Sequence, residues 1–189
     1  MDNATRSELS RNAVLEAALA IIAVEGPGRL TLDAIARESG ISKGGLMHQF
    51  RTKEAVLRAL IERQAEYFED FSRSHMAGSD AAQPQLAAQI AALREVITTP
   101  RSVVFAVLGA AALEPGLMSV TREVDAKRIV AIKAEAPDPE LAVLRWVAAW
   151  GLALTTMLGL SPLSEDERKR LFDRLLDDRQ WTAVPKTEA

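Results

Sequence analysis

The chain has 189 residues, of which 48% are hydrophobic and 26% charged, with a net charge of -3. That length and composition suit one substantial core or two small ones and exclude a disordered chain. The absence of cysteine excludes disulfides, thiolate catalysis and cysteine-bound zinc, and it suits a reducing cytoplasm, where the protein is expected.

The opening residues, MDNATRSELSRNA, lack a basic run followed by an apolar stretch, so no signal peptide is expected. A first helix is expected over 8–25, with Val14, Ala18, Ile21 and Ile22 on one face and Leu15 and Leu19 widening it. Gly26-Pro27-Gly28 stops it. Thr31 is the N-cap expected for a second helix to Ser39, with Leu32, Ile35 and Ala36 apolar. Gly40 supplies a turn, Ile41 plugs the angle, and Ser42 caps a short third helix over 43–49 that Phe50 anchors. Thr52 caps a long fourth helix whose stripe runs through Val56, Leu57, Leu60, Ile61, Phe68 and Phe71. Helices are then expected over 84–97, 101–113, 116–136, 140–160 and 164–179, punctuated by Pro100, Pro115, Pro137 and Pro139. The expected fold class is therefore all-α, with nine helices and no strand. A helix-turn-helix head over 1–51 precedes a helical body over 52–180 and a tail over 181–189. The apolar tract 141–160 is broken by Arg145 and small residues, so a buried soluble helix is expected rather than a membrane span.

Two helices joined by a short Gly-containing turn make the helix-turn-helix pattern, whose second member enters the major groove of double-stranded DNA. Ile41 and Leu46 would hold the reading helix against its neighbours, leaving Ser42, Lys43, Gly44, Gly45, Met47, His48 and Gln49 exposed. Small residues at its front let the helix approach a phosphate backbone. Lys43 and Gln49 offer donors, and Met47 an apolar contact to a thymine methyl. Each also has a bland reading: Lys43 as surface charge, His48 as a solvent-facing imidazole, Lys53 as the neighbour of Glu54 rather than a phosphate contact. Acidity lies mostly outside this segment. Residues 1–60 carry eight Lys/Arg against seven Asp/Glu, and the remaining 129 carry 15 against 19.

The block TLDAIARESGISKGGLMHQFRTKEAVLRAL, from Thr31 to Leu60, resembles the DNA-binding region of the TetR family of bacterial transcriptional regulators. Matching positions are Thr31, Ile35, Ala36, Gly40, Ile41, Ser42, Lys43, Gly44, Leu46, Phe50, Thr52, Lys53 and Glu54. The close resemblance covers about 11–60, and the helical layout extends it coarsely to the whole chain. Three positions depart from the family pattern: Met47 stands where tyrosine is usual, Gln49 where histidine is frequent, and Gly45 where threonine is commoner. The resemblance then implies that phosphate anchoring moves onto Thr31, Lys43, Lys53 and helix N-termini.

The resemblance further implies a homodimer on a palindromic operator, and a body whose small-molecule effector alters the spacing of two reading heads. For dimerisation the sequence offers Leu141, Leu144, Ala148, Leu152 and Thr155 on one helix and Leu171, Phe172, Leu175 and Leu176 on the last. For a largely hydrophobic effector it offers Phe68, Phe71, Val104, Phe105, Leu108, Leu117, Met118, Trp146, Trp150 and Met157. Arg122, Arg145 and Thr156 are the polar groups available to orient it. There is no Gly-rich phosphate loop, no paired-histidine metal motif and no distinctive carboxylate pair, so no enzyme chemistry, metal or cofactor is expected. The sequence thus points to a ligand-released DNA-binding repressor. Its rival is a ligand-binding helical protein that acts through protein partners, with a head that no longer reads DNA.

Overall fold

A computed structural model describes residues 3–98 and 115–181, and the side chains of 3, 4, 115, 118 and 120 are outside that description. Among the described residues there are eight α-helices and three short 3-10 turns, with no strand. The helix expected over 101–113 lies outside the described residues, and so does most of the expected tail.

The chain divides into two compact units, with breaks between Glu66 and Tyr67 and between Arg122 and Glu123. The first contains α1 (Asn3–Glu25), α2 (Leu32–Ser39), α3 (Lys43–Gln49) and the start of α4 (Lys53–Ala77). Gly26 at φ 85 ends α1 in a backbone region that glycine alone enters freely. Thr31 caps α2 by accepting from the Ala34 N–H at 3.1 Å, and Gly40 closes it in the left-handed conformation, φ 69. Ser42 caps α3 through the Gly45 N–H at 3.2 Å, and Thr52 caps α4 through the Ala55 N–H at 3.2 Å. Val14, Ala18, Ile35, Leu46, Phe50, Val56 and Leu60 form the centre of one apolar cluster. α2 packs on α1 and α3 on α2, which fixes the angle at which α3 is presented.

α1 begins five residues earlier than its periodicity indicates, at Asn3 rather than Glu8. One tie beyond its own turn is the Gln49 side chain, whose Nε2 donates to the Ser7 carbonyl at 3.2 Å.

The second unit holds the end of α4, α5 (Pro84–Thr98), most of α6 (Met118–Glu135), α7 (Pro139–Met157) and α8 (Glu165–Leu176). α5 packs on both α7 and α8. Its core joins Leu86, Ile90, Leu93, Ile132, Trp146, Ala149, Ala153 and Phe172. Glu135 caps α5 from another helix, accepting from the Gln85 and Leu86 N–H groups at 3.0 and 2.9 Å. Asp138 caps α7, and Ser164 with Glu167 forms a reciprocal capping box on α8. α8 stops at Leu176, short of the expected 179, because the Asp177 carboxylate gathers the Arg179 and Gln180 side chains into a 3-10 turn. Those contacts hold the Asp177 carboxyl far below its ordinary pKa, Arg179 contributing most.

Candidate nucleic-acid interface and ligand-binding body

α3 is a seven-residue helix that buries one side chain, Leu46. Ser42, Lys43, Gly44, Gly45, Met47 and His48 are all exposed, Met47 by 45%. The two glycines differ. A Cβ at Gly45 would sit 3.2 Å from Ile41 Cγ2 and 3.3 Å from Ser42 Oγ, so a side chain there is tight and its neighbours would have to give by a few tenths of an ångström. A Cβ at Gly44 would meet nothing within 4 Å. The fold has no use for a glycine at 44, and a helix tolerates one at a cost.

Lys43 Nζ lies 2.8 Å from the Asp33 carboxylate of α2, with both side chains mostly exposed, so the ammonium is held beside α3 but remains open to a stronger anion. Lys53 lies 4.0 Å from Glu54, on the first turn of α4. The Glu54 N–H, then the Thr52 hydroxyl, hold the Glu54 carboxyl below its ordinary pKa. Thr31 is exposed and uses its hydroxyl oxygen as the α2 cap.

Gln49 differs from the other members of the expected reading surface. Its Nε2 is engaged with the Ser7 carbonyl and its Oε1 is buried without a partner, so it faces α1 rather than open solvent. Arg11 reinforces the same seam, its guanidinium 4.8 Å above the Phe50 ring. This position positions α3 through α1. The acceptor lies 42 residues earlier in the chain, which is why spacing within the helix-turn-helix could not assign the role.

In the body, Phe68, Phe71, Trp150 and Met157 are half-buried, and Trp146 belongs to the core. The Trp146 and Trp150 rings meet edge-on at 6.4 Å, and Phe71 stacks with His75 at 6.2 Å. Leu117 is a core residue of the first unit, packed in the cluster of Leu46 and Phe50, and is no cavity wall of the second. Arg122 is exposed, and Thr156 donates to the Leu152 carbonyl of its own helix at 2.7 Å. Val104, Phe105 and Leu108 lie outside the described residues, as does the Met118 side chain.

The expected dimer surface requires a correction. Phe172 and Leu175 are buried within their own unit, so they hold α8 to the body and cannot form an exposed face. Leu141, Leu152 and Leu176 are half-buried, whereas Leu144, Ala148 and Leu171 are exposed and Thr155 is intermediate. The exposed stripe on α7 is Leu144 (60%), Val147 (50%), Ala148, Gly151 and Leu154, continued by Leu158 just past its end. Val147 and Leu154 were missed by the sequence reading. They follow from i+3 and i+10 spacing from Leu144, with Gly151 at i+7, once the inner face is known.

No group of three or more potential metal ligands occurs, and no helix is long and apolar enough to cross a membrane, among the described residues. The sequence pattern described as "Bacterial regulatory proteins, tetR family" matches residues 14–60. The pattern described as "Tetracyclin repressor-like, C-terminal domain" matches 83–178, just over half of the chain. The chain belongs to the TetR family. Members of this family are DNA-binding regulators that generally work as dimers, and they are not enzymes. Among characterised proteins, the HTH-type transcriptional regulator SrpR of Pseudomonas putida is 34% identical over 58 residues, 31% of this chain. That match spans 27% of the length of SrpR. The fold also matches the multidrug binding protein EbrR in complex with malachite green, at TM-score 0.68 and 22% identity over 87% of this chain and 96% of that one. A proposed transcriptional regulator from Saccharomonospora viridis, solved with choline, superposes at TM-score 0.72 and 18% identity over 90% and 97% of the two chains.

Proposed function

We propose that this TetR-family chain is a sequence-specific transcriptional repressor that binds a palindromic operator as a homodimer and is released by a small, largely hydrophobic effector held in its body. The observation that carries the reading is Gly44: an exposed glycine in the first turn of α3, opening onto space that nothing in the fold fills. A helix front kept this bare suits close approach to a nucleic-acid backbone. Ser42, Lys43, Gly44, Gly45, Met47 and His48 form the reading surface, with Thr31 and Lys53 at its phosphate edges. Gln49 supports it through Ser7.

The α7 stripe centred on Leu144, Val147 and Leu154, with Leu171 of α8, is the face proposed for the partner protomer, Gly151 permitting close helix approach. The effector is proposed to lie among the half-buried Phe68, Phe71, Trp150 and Met157. A ligand that prefers one arrangement of the two heads draws population away from the operator-competent one. The malachite green and choline held by two structural neighbours support a body of this fold as a container for small molecules.

Selection of sheared genomic DNA on the purified protein at a fixed, moderate salt concentration tests the proposal. Recovery of a short palindrome supports it. Uniform weak enrichment by a folded dimer sinks the sequence-specific claim and moves the protein to a partner-binding role.

A further inference from the structure

Lys43 is the first residue of α3, and its Nζ lies 2.8 Å from Asp33 Oδ1 on the first turn of α2. The pair bridges the two members of the helix-turn-helix, and its side chains are 61% and 73% exposed. The fold makes little use of it. Thr31, not Asp33, caps α2 by accepting from the Ala34 N–H at 3.1 Å, and the buried Ile35 and Leu46 join α2 and α3 in one apolar cluster.

An exposed carboxylate beside the reading helix also opposes the work of the head, because DNA presents a dense row of phosphates that repel it. A negative charge in the first turn of α2 favours that helix, which accounts for an acid at 33. It does not account for the contact with the lysine of α3. A carboxylate and a phosphate offer an ammonium the same thing, anionic oxygens at hydrogen-bond distance.

We propose that Asp33 sets DNA affinity through Lys43: its carboxylate stands in for a DNA phosphate in the free protein and is displaced when α3 engages the duplex. Each complex then forms at the cost of one ion pair per head. Asp33 thereby lowers affinity for every duplex, non-specific sequence included, and leaves net binding to contacts that depend on sequence. The proposal rests on the reading of α3 as the DNA-contacting helix. Exposed pairs of this kind shift an equilibrium by about 1.4- to 5-fold. Two heads in a dimer square the effect, so about threefold per head becomes about tenfold for the complex.

Two other roles for Asp33 predict different outcomes. Simple repulsion of phosphates does not pass through the lysine, so its loss tightens binding by the same factor with or without Lys43. A carboxylate that aims Lys43 at a phosphate predicts weaker binding once it is removed.

A double-mutant cycle on the full-length protein separates the three, read by fluorescence anisotropy at one fixed salt concentration. The probes are the operator recovered by selection and a mixed-sequence duplex. Wild type, Asp33→Ala, Lys43→Met and the double variant are compared on whichever duplex the wild type binds more tightly. Asp33→Ala removes the carboxylate without adding a donor, and Asp33→Asn repeats the cycle should D33A lower the melting temperature. D33A should tighten binding about tenfold more in the Lys43 background than in the K43M background. Equal tightening in both backgrounds, or weaker binding by D33A than by the wild type, overturns the proposal and leaves DNA binding by α3 standing. Failure of the wild type to bind either duplex overturns both.

Discussion

Replacing Gly44 by alanine separates the demands of the fold from those of DNA. The added methyl meets nothing within 4 Å, so no packing term opposes it. Alanine exceeds glycine by roughly 0.5–1 kcal/mol within a helix, and the lower figure suits a first-turn position. At this chain length ~0.5 kcal/mol raises Tm by about 1–2 °C. The same methyl at Gly45 lies 3.2 Å from Ile41 Cγ2 and 3.3 Å from Ser42 Oγ, so the propensity gain is opposed and G45A should melt at or below the wild type. On DNA, the Gly44 methyl occupies the space proposed for backbone approach. A tenfold rise in Kd, about 1.4 kcal/mol, is expected from fluorescence anisotropy on the selected operator at fixed salt. The expected signature is therefore a G44A protein that is more stable and binds less. Unchanged affinity would refute the claim that this glycine serves DNA approach, and a lowered Tm would refute the claim that the space beside it is empty.

Lys43→Met should leave stability within about 0.5 kcal/mol, since its exposed pair with Asp33 contributes little, while flattening the log–log salt dependence of operator binding by about 1; an unchanged slope places Lys43 off the phosphates. Leu144→Asp on the exposed α7 stripe should convert the dimer to a folded monomer in analytical ultracentrifugation, and a persistent dimer would move the interface elsewhere. Phe172→Ala should cost about 3–5 kcal/mol in urea denaturation, whereas Leu171→Ala, one residue earlier but exposed, should cost far less; similar losses would contradict the observed burial. Burial holds the Asp125 carboxyl above its ordinary 3.8, the pair with Arg128 at 3.1 Å offsetting only part of the effect. The folded chain therefore binds this proton more tightly than the unfolded one, and the group's contribution to stability falls as pH rises above 3.8 through the raised pKa. Asp125→Asn, which cannot ionise, should gain on the wild type in urea melts as pH rises above 3.8, and parallel curves would refute the desolvation argument.

The head was legible because its rules are local. Thr31, Gly40, Ser42 and Thr52 are capping and turn residues whose chemistry depends on neighbours three or four positions away, and the structure places them in those roles. Gln49 escaped because its partner is the Ser7 carbonyl, 42 residues earlier, and no periodicity encodes that pairing. The body was less legible for a related reason. α7 is apolar around most of its circumference, with Ala142, Trp146, Ala149 and Ala153 inward and Leu144, Val147 and Leu154 outward. Hydrophobic periodicity shows that a helix has something to bury, but two apolar faces leave open which one belongs to the chain's own core. The expected dimer stripe therefore takes in the half-buried Leu141 and Leu152 and leaves out the exposed Val147 and Leu154.

Arg145 shows what the ambiguity concealed. In sequence it interrupts an apolar tract, which reads as the mark of a soluble helix with a wet face. In the structure it is among the most buried large side chains, tied to a carbonyl and a carboxylate that arrive 30 and 33 residues later. A buried charge is tolerated where its partners are fixed, so the end of α8 and the turn after it are constrained by a residue on α7. One helix thus presents an apolar stripe outward, proposed for a partner protomer, and an incompletely paired guanidinium inward, beside a cavity.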